Sequence, residues 1–227
     1  MRRLAPLLMV GLAGLAGVAL LVIVSATQKD TLAFTLGVPS NAAVAPLKAR
    51  QTVCQAPIAV PDDAAAFDRV AVHLGTYRRP GPPITLTVRT TDGRVVANGR
   101  LAGGYADNAR PSIAVGRVAE RGPLRVCLHN VGPGATAIYG AADAASRTST
   151  AQLDGEPLDA DLDLVFERDK ERSVASLIPA IVDRAALFRV SWIGSWTYVL
   201  LGILLVAAIP ALLAVALRNA VSDEGAG

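Results

Sequence analysis

From Ile84 to Leu101 the chain reads ITLTVRTTDGRVVANGRL. Apolar and polar side chains alternate from Ile84 to Arg89, which is the period of a β-strand with one buried face. The dipeptide Asp92-Gly93 stands between this run and the next, and Asp-Gly is a common dipeptide of tight hairpin turns. The segment therefore predicts an antiparallel hairpin within a domain built from β-strands.

The same two-residue period recurs through the middle of the chain. We expect further strands at residues 52–60, 67–77, 112–118, 124–129, 136–141 and 161–168. Turns rich in glycine, proline and aspartate separate them, and about eight short strands with such turns are typical of a β-sandwich. We therefore predict a mainly β fold with a sandwich at residues 51–168, preceded by a linker at residues 27–50.

An uncharged apolar run fills residues 5–24, directly after Arg2 and Arg3. About twenty residues of α-helix rise about 30 Å, which matches the hydrocarbon core of a bilayer. We predict a transmembrane helix within residues 1–26. A cleaved signal peptide is the alternative, because the sequence VSA at residues 24–26 resembles a cleavage site. In either case the arginines stay in the cytoplasm and the following segment leaves it.

A second apolar run at residues 192–217 predicts another transmembrane helix. It begins with Trp192, Trp196 and Tyr198, and such rings favour the headgroup layer of a membrane. Two spans would leave both termini in the cytoplasm, with residues 218–227 as a short tail.

Two smaller features lie beside these spans. Ser173 is a suitable N-cap for an amphipathic helix at residues 173–190, which we expect either in the membrane interface or packed on the sandwich. The first span carries Gly11, Gly14 and Gly17. Such small residues permit close packing against the second span or against a partner's helix.

The composition agrees with a protein that contacts lipid. Of the 227 residues, 52% are hydrophobic and only 18% are charged, whereas about a quarter of the residues in soluble domains are charged. The net charge is +3, and no basic cluster is long enough to follow a phosphate backbone. A nucleic-acid partner is therefore not expected.

The chain has two cysteines and two histidines. Cys54 and Cys127 fall in predicted strands of the extracytoplasmic segment, where such a pair usually forms a disulfide. A metal site is not expected, because there is no Cys-x-x-Cys pair. His73 and His129 would share a site only if their strands were neighbours.

Motifs of catalysis are absent from the sequence: there is no Gly-x-Ser-x-Gly elbow, His-Glu-x-x-His or phosphate-binding glycine loop. We therefore predict no catalytic residue and no cofactor. Sugar sites combine an aromatic platform with a few polar groups. Tyr77, Arg79, Tyr105 and Asp107 fall at strand ends or in loops, where binding residues concentrate. They are candidate glycan contacts, and packing of the tyrosines at the sandwich edge is the structural alternative.

Two stretches resemble a known class of protein. Residues 67–79 (FDRVAVHLGTYRR), with residues 84–89 and 124–128, are similar to extracytoplasmic jelly-roll domains of actinobacterial-type envelope membrane proteins, including accessory domains of membrane glycosyltransferases. Residues 176–188, followed by residues 192–196, resemble the juxtamembrane region of the same group. The resemblance implies a jelly-roll fold in the cell envelope. It does not assign a function to any residue of this chain.

These patterns predict a non-catalytic, membrane-anchored binding protein, an accessory subunit in envelope glycan or lipid assembly or transport. Its partners would be the lipid bilayer, a membrane protein such as a glycosyltransferase or transporter, and an envelope glycan. One alternative is a hydrolase of cell-wall polysaccharide, which needs two converging carboxylates such as Asp107 and Glu120. The other is an extracytoplasmic sensor that acts through a membrane partner.

Overall fold

The structure is a computed structural model that describes residues 5–61, 65–120, 122–142, 151–179 and 195–223. The chain forms two compact units. One is Thr31–Glu171, and the other combines the two ends of the chain, Met1–Asp30 and Arg172–Gly227.

Fourteen strands and two long helices occur among the described residues. In chain order they are α1 (Ala5–Thr27), β1 (Lys29–Thr35), β2 (Ala42–Leu47), β3 (Thr52–Ile58), β4 (Phe67–Val72), β5 (Leu74–Gly75), β6 (Ile84–Thr90), β7 (Val95–Leu101), β8 (Ser112–Val118), β9 (Leu124–Asn130), β10 (Thr136–Ala141), β11 (Ala151–Leu153), β12 (Glu156–Pro157), β13 (Asp161–Leu162), β14 (Leu164–Ser173) and α2 (Ser195–Asp223). The chain is therefore mainly β between its two helical ends.

Two sheets form a sandwich. The first has the strand order β1-β14-β4-β8, and the second has the order β12-β11-β3-β9-β6-β7. Among β1, β3, β4, β6, β7, β8, β9 and β14, every connection along the chain passes from one sheet to the other except the β6–β7 hairpin. The predicted β-sandwich is confirmed.

The core lies between the sheets and follows from the alternation seen in the sequence. Ile84, Leu86 and Val88 of β6 are fully buried, while the residues between them face outward. Three phenylalanines from β1, β14 and β4 also meet in the core. Phe34 stacks on Phe166 with ring centroids 4.3 Å apart, and Phe67 meets the edge of Phe166 at 4.8 Å. Each buried phenylalanine contributes about 1.5–3 kcal/mol.

The structure corrects the linker expected at residues 27–50, which contains β1 and β2. β1 is an edge strand beside β14, and its sequence KDTLAFT shows only a weak alternation. Its place therefore depends on a partner far along the chain. The sandwich also extends past its predicted end at residue 168, because β14 continues to Ser173.

Two local predictions are confirmed. β6 pairs with β7 as a hairpin, and Gly93 occupies the turn with a φ of 90°, a conformation that glycine adopts readily. Cys54 and Cys127 form a disulfide. They lie opposite each other on β3 and β9 with Cα atoms 4.1 Å apart.

The helical unit contains α1 and α2, which contact each other. Within α2, Trp196–Leu213 has a mean hydropathy of 2.3 and is long and apolar enough to cross a membrane, whereas α1 carries a shorter apolar stretch at Gly11–Thr27. A Cβ atom on Gly11 or Gly17 would meet no atom within 4 Å, so these two glycines do not form the contact between the helices. α2 continues to Asp223, past the helix end predicted at residue 217, and the cytoplasmic tail at residues 218–227 stays a prediction.

The predicted cap of the amphipathic helix is present. The hydroxyl of Ser173 accepts a hydrogen bond from the N–H of Ser176 at 3.3 Å, and residues 174–179 are helical. The remainder of the helix predicted to residue 190 lies outside the described residues, and so does Trp192.

Candidate binding surface at one end of the sandwich

Four of the connections between sandwich strands meet and form one surface. β2, β5, β10 and β13 lie within the connections β1–β3, β4–β6 and β9–β14, and they pair into a small third sheet. The β7–β8 connection, residues 102–111, joins this sheet because the N–H of Leu74 donates to the carbonyl of Ala109 at 2.9 Å. We call the surface built by these four connections the end surface.

A stacked pair of rings belongs to the end surface. The ring centroids of His73 and Tyr139 lie 4.3 Å apart, and the ring planes differ by 16°. Both ring nitrogens of His73 are engaged: Nδ1 is hydrogen-bonded to the Ser40 hydroxyl, and Nε2 lies 2.5 Å from Oδ1 of Asn108. These four residues come from four different connections, so the fold fixes the orientation of the pair.

Asp107 fixes the turn that presents Tyr77. Its carboxylate accepts hydrogen bonds from the N–H groups of Thr76 at 2.5 Å, Arg78 at 3.0 Å and Asn108 at 3.1 Å. Tyr77, Arg78 and Asn108 have φ angles of 55°, 62° and 59°, which are costly for most side chains. The bonds to the carboxylate offset this cost. The hydrogen bond from Thr76, with those from Arg78 and Asn108, lowers the pKa of Asp107.

Tyr105 connects two of the loops from within. A Cβ atom on Gly81 would lie only 2.2 Å from the Tyr105 ring, so the ring lies directly against this glycine. The N–H of Gly81 also donates to the carbonyl of Tyr105 at 3.0 Å. The ring is half-buried against the core, and this burial raises the pKa of the Tyr105 phenol. Packing within the sandwich was the structural alternative given for the tyrosines, and it describes Tyr105. The role of Tyr105 as a glycan contact stays a prediction.

An ion pair ties the β7–β8 connection to the strand that carries Tyr139. Arg110 lies 2.9 Å from the carboxylate of Asp163, whose side chain is only 7% exposed. The N–H of Asp163 donates to the carbonyl of Tyr139 at 3.0 Å. The pair therefore holds the backbone of Tyr139 against the neighbouring connection.

The structure brings all four predicted site residues to the end surface. Tyr77 is 57% exposed, and Arg79 follows it in the same loop and is also exposed. Asp107 supports this loop, and Tyr105 packs beneath it. The predicted aromatic and polar groups therefore lie together, although they are separated in the sequence.

Sequence reasoning did not predict that His73 stacks on Tyr139, or that Ser40 and Asn108 engage the imidazole. His73 lies within the alternating run predicted at residues 67–77, and Asn108 follows Asp107 directly; these positions were the available signals. The two histidines do not share a site, because His129 belongs to β9 in the other sheet and hydrogen-bonds Thr52 at 2.9 Å.

The carboxylates considered for a hydrolase lie far apart. Asp107 precedes β8 and Glu120 follows it, and a seven-residue strand spans about 20 Å. Paired carboxylates of glycosidases lie within about 10 Å of each other. Glu120 instead pairs with Arg94 at 3.2 Å. Within the described ranges, no group of three His, Cys, Asp or Glu side chains is placed to hold a metal ion.

No protein-family model and no curated protein matches the chain. Among solved structures, CsCBM6-3 from Clostridium stercorarium, in complex with cellobiose, is similar with a TM-score of 0.30 and 11% sequence identity. The match covers 51% of this chain and 92% of that chain. At this level of likeness the function has to be argued from the site.

Proposed function

We propose that this chain is a membrane-anchored, extracytoplasmic binding protein that catalyses no reaction. Its end surface binds a sugar-containing ligand of the cell envelope. The observation that carries this proposal is the stacked pair of His73 and Tyr139, held through Ser40 and Asn108 by four separate connections. A site held in this way is preformed. Few of its side chains lose conformational freedom when a ligand binds, so less of the binding free energy is lost to ordering the site.

The side chains of the end surface suit the chemistry of a sugar. Tyr77 offers an exposed ring, against which the apolar face of a pyranose can pack. Arg79 and Asn108 are exposed nearby in the two loops joined by Asp107 and can hydrogen-bond hydroxyl groups. A few polar groups around an aromatic platform are typical of ligand sites with orientation-specific recognition.

The strand order supports the resemblance to envelope jelly-roll domains. The sandwich sheets contain eight strands besides the short β11 and β12. Numbered 1 to 8 along the chain, these strands have the orders 1-8-3-6 and 2-7-4-5. We interpret this pattern as a jelly roll, in which two Greek keys form facing sheets. Accessory domains of membrane glycosyltransferases are the resembling group, so an accessory role in envelope assembly or transport is the setting we propose.

The proposed topology places both termini in the cytoplasm and the sandwich outside. The apolar segment Trp196–Leu213 of α2, the apolar α1 and the Cys54–Cys127 disulfide support this topology, because structural disulfides persist in oxidising compartments. The small residues of α1 and the amphipathic segment after Ser173 would contact a membrane partner. A cysteine introduced at Asn98, which is exposed on β7, should react in intact cells with a maleimide that does not cross membranes. Labelling only after cell lysis would contradict the topology.

The binding proposal is tested with the full chain in lipid nanodiscs. Isothermal titration with a panel of neutral oligosaccharides should identify a ligand whose binding is lost in Tyr77→Asn, since asparagine tolerates the left-handed backbone and keeps the loop folded. Val95→Ala is the matched control, because Val95 is also exposed but lies beside the hairpin at the opposite end of β6. Equal binding by wild type and Tyr77→Asn, or no binding to any oligosaccharide, would contradict the proposal.

A further inference from the structure

Among the described residues, the outward-facing side chains of β9, β6 and β7 include arginines and no carboxylates. Arg125 and His129 of β9, Thr85 and Arg89 of β6, and Arg100 of β7 alternate with the buried residues of these strands. Side chains of directly opposite residues lie on the same face of a sheet. Thr85 is opposite both His129 and Arg100, so the three form a row across three strands. We call the outward-facing side of β9, β6 and β7 the basic face.

Two arginines of the basic face are placed against each other. Arg89 and Arg125 are directly opposite on neighbouring strands, and like charges in this position destabilise a sheet. Arg89 donates to the carbonyl of Gly93 at 3.0 Å, which orients its guanidinium without neutralising it. Both arginines are exposed.

No carboxylate of the described residues forms an ion pair with Arg89 or Arg125 that would offset the cost of this placement. The ion pairs found within the described part of the chain are Arg94–Glu120 and Arg110–Asp163. Glu120 is near the β6–β7 hairpin and is already engaged by Arg94. The described residues therefore leave the guanidinium groups of the basic face available to an external anion.

We propose that the basic face binds an extended anionic glycan, a polymer that carries carboxylate or phosphate groups. Arg100 and Arg125 are separated by two strand spacings and four residues along the strands, which corresponds to about 16 Å. A single small anion cannot bridge this distance, whereas a charged polymer lying across the strands can reach both. Guanidinium groups bind carboxylate and phosphate with two parallel hydrogen bonds.

The side chains between the arginines favour a glycan over a lipid surface. Thr85, Thr87 and Asn98 are polar and face the same side, so they can hydrogen-bond sugar hydroxyls. The disulfide lies in this face as well, because Cys127 is opposite Thr87. It joins β9 to β3. This surface differs from the end surface in both its residues and its ligand chemistry.

The test measures binding of two polyanions, polygalacturonate and inorganic polyphosphate, to the full chain in nanodiscs of zwitterionic lipid. The methyl ester of polygalacturonate is the uncharged counterpart. Arg100→Gln and Arg125→Gln should each weaken binding of at least one polyanion about two- to fivefold, as expected for exposed charge pairs, and the double variant about tenfold. Arg117→Gln is the matched control, because Arg117 is also exposed but belongs to β8 of the other sheet.

The proposal has distinct failing outcomes. Absence of binding to both polyanions, equal binding of the methyl ester, or an equal loss in Arg117→Gln would overturn it. Preferential binding to phosphatidylglycerol vesicles that depends on Arg100 and Arg125 would assign the face to a lipid surface and would also overturn it. Tyr77→Asn should bind polyanions like the wild type, so a failure of this proposal is distinguishable from a failure of the sugar site.

Discussion

His73 stacks on Tyr139, and the N–H of Tyr139 donates to the carbonyl of His73 at 3.0 Å. The two residues therefore contact each other through both ring and backbone, although they are 66 positions apart in the sequence (139 − 73). This relationship joins the connection after β4 to the strand β10, and it determines how the end surface presents its polar groups.

The stacking should be measurable as a coupling free energy. His73→Ala and Tyr139→Ala should each destabilise the sandwich, and the double variant should be more stable than their sum predicts by about 0.5–1.5 kcal/mol. Denaturant titration of the full chain in detergent, followed by circular dichroism, gives the four free energies of unfolding. His129→Ala combined with Tyr139→Ala is the control, and a coupling of the same size there would contradict the stacking.

Asp107 predicts a pH-dependent contribution to stability. Because its pKa is lowered in the folded state, its stabilising effect is complete above the unfolded pKa, about 3.9, and is lost as the pH falls through the folded value. The free energy of unfolding of Asp107→Asn should therefore lie below that of the wild type at pH 7, and the difference should shrink as the pH falls through the lowered pKa of Asp107. Asp159→Asn, at another exposed carboxylate, is the control. A difference that does not change with pH would rule out this role of Asp107.

Gly81 should not tolerate a side chain. A Cβ atom there would overlap the ring of Tyr105, so Gly81→Ala should displace the ring and lower the free energy of unfolding by about 1–3 kcal/mol. A Cβ atom on Gly122 would meet nothing within 4 Å, and Gly122→Ala should be neutral or slightly stabilising. Thermal unfolding of both variants checks the prediction, which requires that only Gly81→Ala lowers the midpoint.

Removal of Arg110 should destabilise the sandwich more than removal of Arg94. Arg110→Ala leaves the nearly buried carboxylate of Asp163 without its ion-pair partner, at a cost of about 1–3 kcal/mol. Arg94→Ala breaks an ion pair whose side chains are 58% and 38% exposed, at a cost of about 0–1 kcal/mol. Equal effects of the two substitutions in a denaturant titration would show that burial of Asp163 does not matter.

The disulfide should contribute strongly to stability. It closes a separation of 73 residues, and restriction of the unfolded chain then stabilises the fold by about 4 kcal/mol. The variant with both Cys54→Ala and Cys127→Ala should lose this amount. Reductant should bring the wild type to the stability of the variant and leave the variant unchanged. If reductant, added while the chain is unfolded, does not lower the free energy of unfolding of the wild type, the disulfide is contradicted.

The sequence predicted the parts of the fold that depend on local periodicity. The β6–β7 hairpin followed from alternation and from Asp92-Gly93, and the disulfide followed from two cysteines in predicted strands. β1 was missed because its seven residues alternate weakly, and Phe34 is buried against Phe166 and Phe67, which lie far along the chain. Short edge strands of this kind depend on their neighbours rather than on their own pattern.

The end surface shows the same division between local and long-range information. Tyr77, Arg79, Tyr105 and Asp107 could be selected from the sequence, since aromatic and polar residues in loops form a local pattern. Their local contacts could not be predicted: the ring of Tyr105 packs against Gly81, and the carboxylate of Asp107 accepts hydrogen bonds from the backbone of Thr76 and Arg78. The stack of His73 on Tyr139 and the opposition of Arg89 and Arg125 were decided by tertiary structure alone. Periodicity determines which side of a strand is buried, but only the pairing register and the crossing of chains between sheets determine which distant side chains meet.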